Sequence, residues 1–204
     1  MIAIIDYHMG NLWSIAYRFK KIGHEVCITS QAAEIAQAQK IILPGVGSFA
    51  QGMANLKDLK LIEVLEKRVL KDKIPVLGIC LGMQLLTQKS EEGFADGLGW
   101  IPAETIRLNF PAEEKLRVPH VGWNTVKLAK PSALFHGMND GGRFYFTHSY
   151  KVVCQESADI LAQTFYGGEF VSAVEKDNIY GVLFHPEISH QEGIQLLKNF
   201  AERC

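Results

Sequence analysis

Several common features are missing from this sequence, and each absence narrows the reading. There is almost no net charge: 21 Lys+Arg stand against 22 Asp+Glu, a formal −1. General nucleic-acid binding feeds on an excess of Lys and Arg, so that class is set aside. No apolar run approaches the roughly 18 residues of a membrane span. Met1 to Asp6 has no basic segment and turns acidic at once, which is not the pattern of a secretory signal, so a cytoplasmic location is expected. Four cysteines, Cys27, Cys80, Cys154 and Cys204, lie far apart with no Cys-x-x-Cys pair. They read as reduced thiols rather than a disulfide frame or a zinc site. His8, His24, His136 and His190 have no ligand spacing, so neither a metal nor another cofactor is expected. There is no linker rich in Pro, Gly or Ser, no internal repeat and no low-complexity stretch. With 48% hydrophobic residues over 204 positions, the expectation is one domain spanning residues 1–204.

What is present alternates in the first half. Ile2 to Ile5 is a short apolar run, as for a strand covered on both faces. Leu12 to Ile22 carries apolar residues at helical spacing, and Gly23 sits where a helix C-terminal glycine belongs. Val26–Ile28, Lys40–Leu43 and Ile74–Ile79 read as strands; Leu56–Lys71 and Leu81–Gln88 read as helices. Such alternation predicts a doubly wound, flavodoxin-like, mostly parallel α/β sheet flanked by helices. From Gly97 to Phe184 the pattern changes to short strand-like runs, which predict antiparallel strands added to the sheet edge or forming a small sheet. Ser189–Cys204 reads as a closing helix, with Ser189 and Glu192 in a capping-box spacing.

The sharpest local signal is Gly78-Ile79-Cys80-Leu81-Gly82 between a buried strand and a helix. It has the form of a nucleophile elbow with Cys in place of Ser. Such a turn projects the side chain beyond the sheet, and the Leu81 N–H is placed to hold a developing oxyanion. A structural cysteine at a tight turn fits this motif equally well. The second signal is Phe184-His185-Pro186-Glu187: an extended segment would let Glu187 share a face with His185 and orient it as a base. Taken alone, a loop histidine beside a solvated glutamate explains it better. Together the two signals point to a Cys-His-Glu triad and acyl transfer. The third is Pro44-Gly45-Val46-Gly47 straight after a strand, whose glycines let a backbone amide swing toward a ligand; an ordinary loop is the alternative.

These motifs resemble the class I (triad) glutamine amidotransferases. With Asp6-Tyr7, Met9-Gly10-Asn11, Pro119-His120, Gly122-Trp123-Asn124 and Tyr145 to Tyr150, the resemblance extends over nearly the whole chain, toward the glutaminase subunits of imidazole glycerol phosphate synthases. It implies a Cys80, His185 and Glu187 triad, and an oxyanion strand of Gly45, Val46 and Gly47, in which the Val46 amide must turn inward to join that of Leu81. It implies glutamine contacts from Gln84 and from the backbone of His148, Ser149 and Tyr150. It places Asn11, Trp13, His120, Trp123 and Ile188 toward a partner, a (β/α)8-barrel cyclase subunit that receives ammonia in a heterodimer of histidine biosynthesis. From sequence alone, core packing explains Trp123 as well as an interface does, and a packed loop site explains His120 as well. The family usually has Gly at position 8, Arg at 13 and Lys or Arg at 188; here stand His8, Trp13 and Ile188. None touches the triad, and all bear on the partner's identity. Two other readings follow: a paralogous glutaminase serving amidation of a bacterial surface sugar, and a silent regulatory subunit. An intact triad weighs against the second, and the Gln84 and Pro-Gly-Val-Gly matches weigh against a cysteine peptidase.

Overall fold

The computed structural model describes residues 1–204, the side chain of Ala112 excepted. The first half follows the alternation closely. Strand β1 (Ile2–Ile5) is buried at every position and leads to helix α1 (Leu12–Lys21). Gly23, at φ +83°, closes that helix: His24 N–H donates to the Phe19 carbonyl at 3.0 Å and Gly23 N–H to that of Lys20 at 3.2 Å, a Schellman ending. Then come β2 (Val26–Thr29), α2 (Ala32–Ile35), β3 (Lys40–Leu43) and α3 (Phe49–Asp58). The single helix expected over 56–71 is interrupted. After α3, Lys60 takes φ +55°, and the chain restarts as α4 (Ile62–Glu66) running into a π-turn at Lys67–Lys71. The apolar spacing was helical across the break; a left-handed residue is not visible in periodicity.

β4 (Val76–Ile79) is buried throughout, and α5 (Leu81–Leu85) follows it at once. The second half is built of β5 (Lys89–Ser90), β6 (Ala95–Asp96), β7 (Ala103–Arg107), β8 (His120–Leu128), β9 (Gly142–His148), β10 (Tyr150–Cys154), β11 (Ile160–Phe165), β12 (Glu169–Lys176) and β13 (Ile179–Val182). Helix α6 (His190–Arg203) ends the chain and packs on α1.

The main sheet has the order β2-β1-β3-β4-β13-β12-β10-β7-β5-β6, and its first five strands run parallel. Both alternatives for the second half are realised: β12, β10 and β7 extend the edge antiparallel, while β8 and β9 form a long hairpin joined to it through β11. Strand β13 comes last in the chain but docks beside β4, pairing Val182 with Ile79. This is a doubly wound order, and ligands of such sheets sit beyond the carboxyl ends of the strands. The segments after β1, β3, β4 and β13 begin at Asp6, Pro44, Cys80 and Leu183, so the motifs converge at that rim.

The buried apolar residues form one cluster on both sheet faces, with Phe19, Phe49, Phe144, Phe184 and Phe200 fully enclosed. Each such side chain contributes about 1.5–3 kcal/mol through burial. No helix is long and apolar enough to cross a membrane among the described residues.

Candidate active site

Cys80 stands between β4 and α5 at φ 52° and ψ −109°, a strained conformation for a residue with a Cβ. Two glycines permit this turn. A Cβ on Gly82 would lie 1.8 Å from the Leu43 carbonyl oxygen, and one on Gly78 would lie 2.7 Å from the backbone of Gly82. Strand β3, the turn and helix α5 are thus in contact through their backbones, and the thiol is held at the strand ends. Cys80 Sγ lies 3.8 Å from the Thr147 carbonyl oxygen at the end of β9.

His185 and Glu187 meet, by a route other than the expected extended segment. Pro186–Ile188 is a 3₁₀ turn, and it brings Glu187 Oε1 to 2.9 Å from His185 Nδ1. Both side chains are almost wholly buried, at 4% and 2% exposure. His185 Nε2 has no partner of hydrogen-bond geometry. Burial works against a charge on this ring, but the proximity of Cys80 and the hydrogen-bonded Glu187 carboxylate outweigh it and lift its pKa to about 10. The ring therefore has a carboxylate on one nitrogen and the thiol near the other.

Arg18 and Ser189 brace the turn. Arg18 Nε, on α1, donates to the Glu187 carbonyl at 2.8 Å. Ser189 Oγ donates to the His185 carbonyl at 2.6 Å and accepts from Tyr145 N–H at 3.0 Å. Ser189 was expected to cap the last helix with Glu192, but its side chain makes no capping bond because these two partners occupy it. Opposite, the buried Tyr7 hydroxyl donates to the Pro44 carbonyl at the start of the glycine loop. Burial, and secondarily Cys80, raise the Tyr7 pKa far above its ordinary value, so this donor keeps its proton.

A cleft of about 220 Å³ opens at the thiol, lined by Val46, Gly47, Leu81, Gln84, Glu92, Pro119 and Thr147–Tyr150. Gln84 Nε2 donates to the Tyr150 carbonyl at 3.3 Å. Glu92, missed at the sequence level, presents a carboxylate here and accepts from Phe49 N–H at 2.7 Å, at the start of α3. Its neighbours in sequence carry no motif, so only the fold brings it in. The residues expected at a partner face divide. Asn11 is exposed, as are Trp13 at 79%, Trp123 at 37% and Ile188 at 37%. Trp123 also stacks flat on His190 at 4.8 Å. His120, at 3% exposure, is instead enclosed, because the rings of Tyr166 and Phe146 cover it at 4.0 and 5.0 Å.

Comparison with known proteins finds relatives over the whole chain. The glutamine amidotransferase class-I family model matches residues 3–204. Imidazole glycerol phosphate synthase subunit HisH 2 of Methanococcus maripaludis is 52% identical over 100% of both chains. The HisH subunit of Bdellovibrio bacteriovorus is 48% identical over 99% of this chain and 100% of its own, and HisH 2 of Pseudomonas aeruginosa is 44% identical over 99% of each. Among solved structures, a glutamine amidotransferase covers 98% of this chain and 97% of its own at TM-score 0.74 and 18% identity. PurLQS from Thermotoga maritima covers 98% and 96% at TM-score 0.74 and 16% identity. At such identities the structural likeness speaks for the fold alone.

Proposed function

The chain belongs to the class-I glutamine amidotransferases, and on that premise we propose that it is the glutaminase subunit of an imidazole glycerol phosphate synthase, with the whole of residues 1–204 as its amidotransferase domain. Cys80 Sγ attacks the side-chain amide carbon of glutamine with its proton already held on His185 Nε2. The tetrahedral oxyanion is taken by the amides of Leu81 and Val46. Collapse breaks the C–N bond as His185 returns the proton to the leaving nitrogen, and ammonia departs. Water, deprotonated by His185, then cleaves the thioester to glutamate and restores the thiol. Glu187 keeps the imidazole aimed and offsets its charge. Gln84 and the backbone of His148, Ser149 and Tyr150 receive the substrate, and the Glu92 carboxylate matches its α-ammonium group.

The observation that carries this reading is the 2.9 Å contact between His185 Nδ1 and Glu187, with the other ring nitrogen left to the elbow cysteine. Ammonia then passes to a (β/α)8-barrel cyclase subunit, which uses it to make imidazole glycerol phosphate and aminoimidazole carboxamide ribotide. The partner docks over Asn11, Trp13, Trp123 and Ile188. The test is Cys80→Ser in the assembled complex: glutamine-dependent synthesis should vanish while ammonia-dependent synthesis persists. Retained glutamine hydrolysis would overturn the triad.

A second reading keeps the glutaminase and changes the partner to one that amidates a surface sugar. What favours it is the exposed apolar set Trp13, Trp123 and Ile188, where the family usually carries cations at two of the three positions. Complementation of a histidine auxotroph lacking its own glutaminase subunit separates the two.

A further inference from the structure

Behind the Thr147–Tyr150 wall of the cleft, two histidine rings meet. His120 opens β8 and His148 closes β9, directly opposite each other in the antiparallel pair. His120 Nδ1 lies 3.0 Å from His148 Nε2, and His148 Nδ1 lies 2.8 Å from the Tyr150 carbonyl oxygen. At the other end, Asn124 Nδ2 lies 3.3 Å from His120 Nε2 and 3.0 Å from the Phe165 carbonyl oxygen.

The ends of this chain fix its protons. A carbonyl only accepts, so His148 Nδ1 carries hydrogen. The Asn124 amide nitrogen only donates, and its orientation is set because Asn124 Oδ1 accepts from Thr125 N–H at 2.7 Å. His120 Nε2 must therefore accept, His120 Nδ1 must donate, and His148 Nε2 must accept. Every link is satisfied with both rings neutral and both protonated on Nδ1. A proton added to His148 Nε2 would confront the His120 Nδ1 hydrogen, and one added to His120 Nε2 would confront the Asn124 amide.

We propose that His120 is a positioning residue for glutamine: through this relay it fixes His148 as a neutral Nδ1–H donor, which holds the Tyr150 carbonyl that also receives Gln84, and so sets the substrate wall. The substrate named here rests on the glutaminase reading above; the relay itself does not. The surroundings favour neutrality. Burial lowers the His148 pKa to about 3, and the neighbouring His120 and His185 rings add to that against the Tyr150 hydrogen bond. Burial lowers that of His120 to about 4. His185 is the charged group facing His148, while aromatic rings of Tyr166, Phe146 and Phe170 face His120. A neutral pair keeps a second positive charge away from His185, the one ring that must carry the proton.

Tyrosine and phenylalanine rings hold His120 by stacking, so a merely structural role would survive an aromatic replacement. His120→Phe removes the donor and keeps the stack. In the partner complex it should raise the KM for glutamine about ten-fold, the scale of one lost buried hydrogen bond, with kcat changed less than about three-fold. His120→Gln, which restores an N–H donor, should recover most of the loss. An unchanged KM in His120→Phe overturns the proposal. Independently, ring-nitrogen NMR of the ¹⁵N-histidine-labelled wild-type chain should show Nδ1–H on both residues from about pH 8 down to about pH 5.5. An Nε2–H tautomer of His148, or its titration in that range, overturns the relay whether or not the chain hydrolyses glutamine. This measurement also decides the matter if His120→Phe does not fold.

Discussion

The amide of Leu81 donates to the carbonyl of Gly45 at 3.4 Å. In the proposed mechanism Leu81 is the amide aimed at the oxyanion, and Gly45 belongs to the loop that supplies the second donor. The loop carbonyl therefore occupies the place an oxyanion would take, while the neighbouring Val46 stands 51% exposed. Rotation of the Gly45–Val46 peptide would remove the acceptor and deliver a donor in one step. Gly45 adjoins that peptide and supplies the backbone freedom there, while Gly47, at φ +125°, lies one residue further on.

The first prediction follows from that contact. With one oxyanion donor misplaced, hydrolysis should fall by about 10²–10³. The isolated chain should be a poor glutaminase, and turnover should rise by that order when partner and partner ligand are added. A steady-state ammonia assay with and without the partner checks it. Isolated turnover near the typical enzyme rate of about 10 per second would rule it out.

Labelling should single out Cys80. Burial, aided by Glu34, raises the pKa of Cys27. Burial pushes Cys154 to about 11, with Asp159 adding to it, and Cys204 also to about 11. These three are poor thiolates at neutral pH, whereas Cys80 opens on the cleft beside the buried His185. A chloroketone analogue of glutamine should alkylate Cys80 first, read by peptide mass spectrometry, and Cys80→Ser should leave the protein unlabelled.

Stability should be greatest near pH 6.5 as far as the histidines decide it. His120 and His148 have folded pKa values of about 4 and 3, below an unfolded value of about 6.5. As pH falls below about 6.5 the unfolded chain takes up protons that the folded chain refuses, and stability drops by up to about 1.4 kcal/mol per pH unit for each. His185 is the opposite case. Its folded pKa of about 10 contributes stability that is full below about 6.5 and is lost as pH rises through 10. Urea midpoints across this range test both limbs. His120→Phe should flatten the acid limb and Glu187→Gln the alkaline one; parallel curves in either variant would refute its assignment.

At the partner face, Trp13 and Ile188 predict an apolar opposite surface. A buried carboxylate facing Ile188 would cost several kcal/mol, whereas it would suit a Lys or Arg. Trp123→Ala should weaken the complex by about 2 kcal/mol or more, as aromatic anchors do. With a cyclase from a species whose glutaminase subunit carries Lys at this position, Ile188→Lys should tighten binding, measured by calorimetry. Tight binding by the unaltered chain would show that the departure is neutral.

Much was legible in the residues themselves. Four consecutive apolar residues made β1, helical spacing with Gly23 made and ended α1, and Gly78, Cys80 and Gly82 specified a turn that only those glycines permit. These are local constraints: backbone sterics and a burial pattern act within a few residues of the chain. The sequence also marked His185 and Glu187, two positions apart, though a 3₁₀ turn rather than a strand joins them. What the tertiary structure decided were contacts between distant segments. It set Ser189 against His185 and Tyr145 instead of a helix cap, brought Glu92 into the cleft, and enclosed His120 behind the Thr147–Tyr150 wall. It also broke the helical run at Lys60. Whether a hydroxyl caps a helix or braces the His185–Glu187 turn depends on which partner lies within about 3 Å. That distance is fixed by how β9 packs against the turn that follows β13 and against α6.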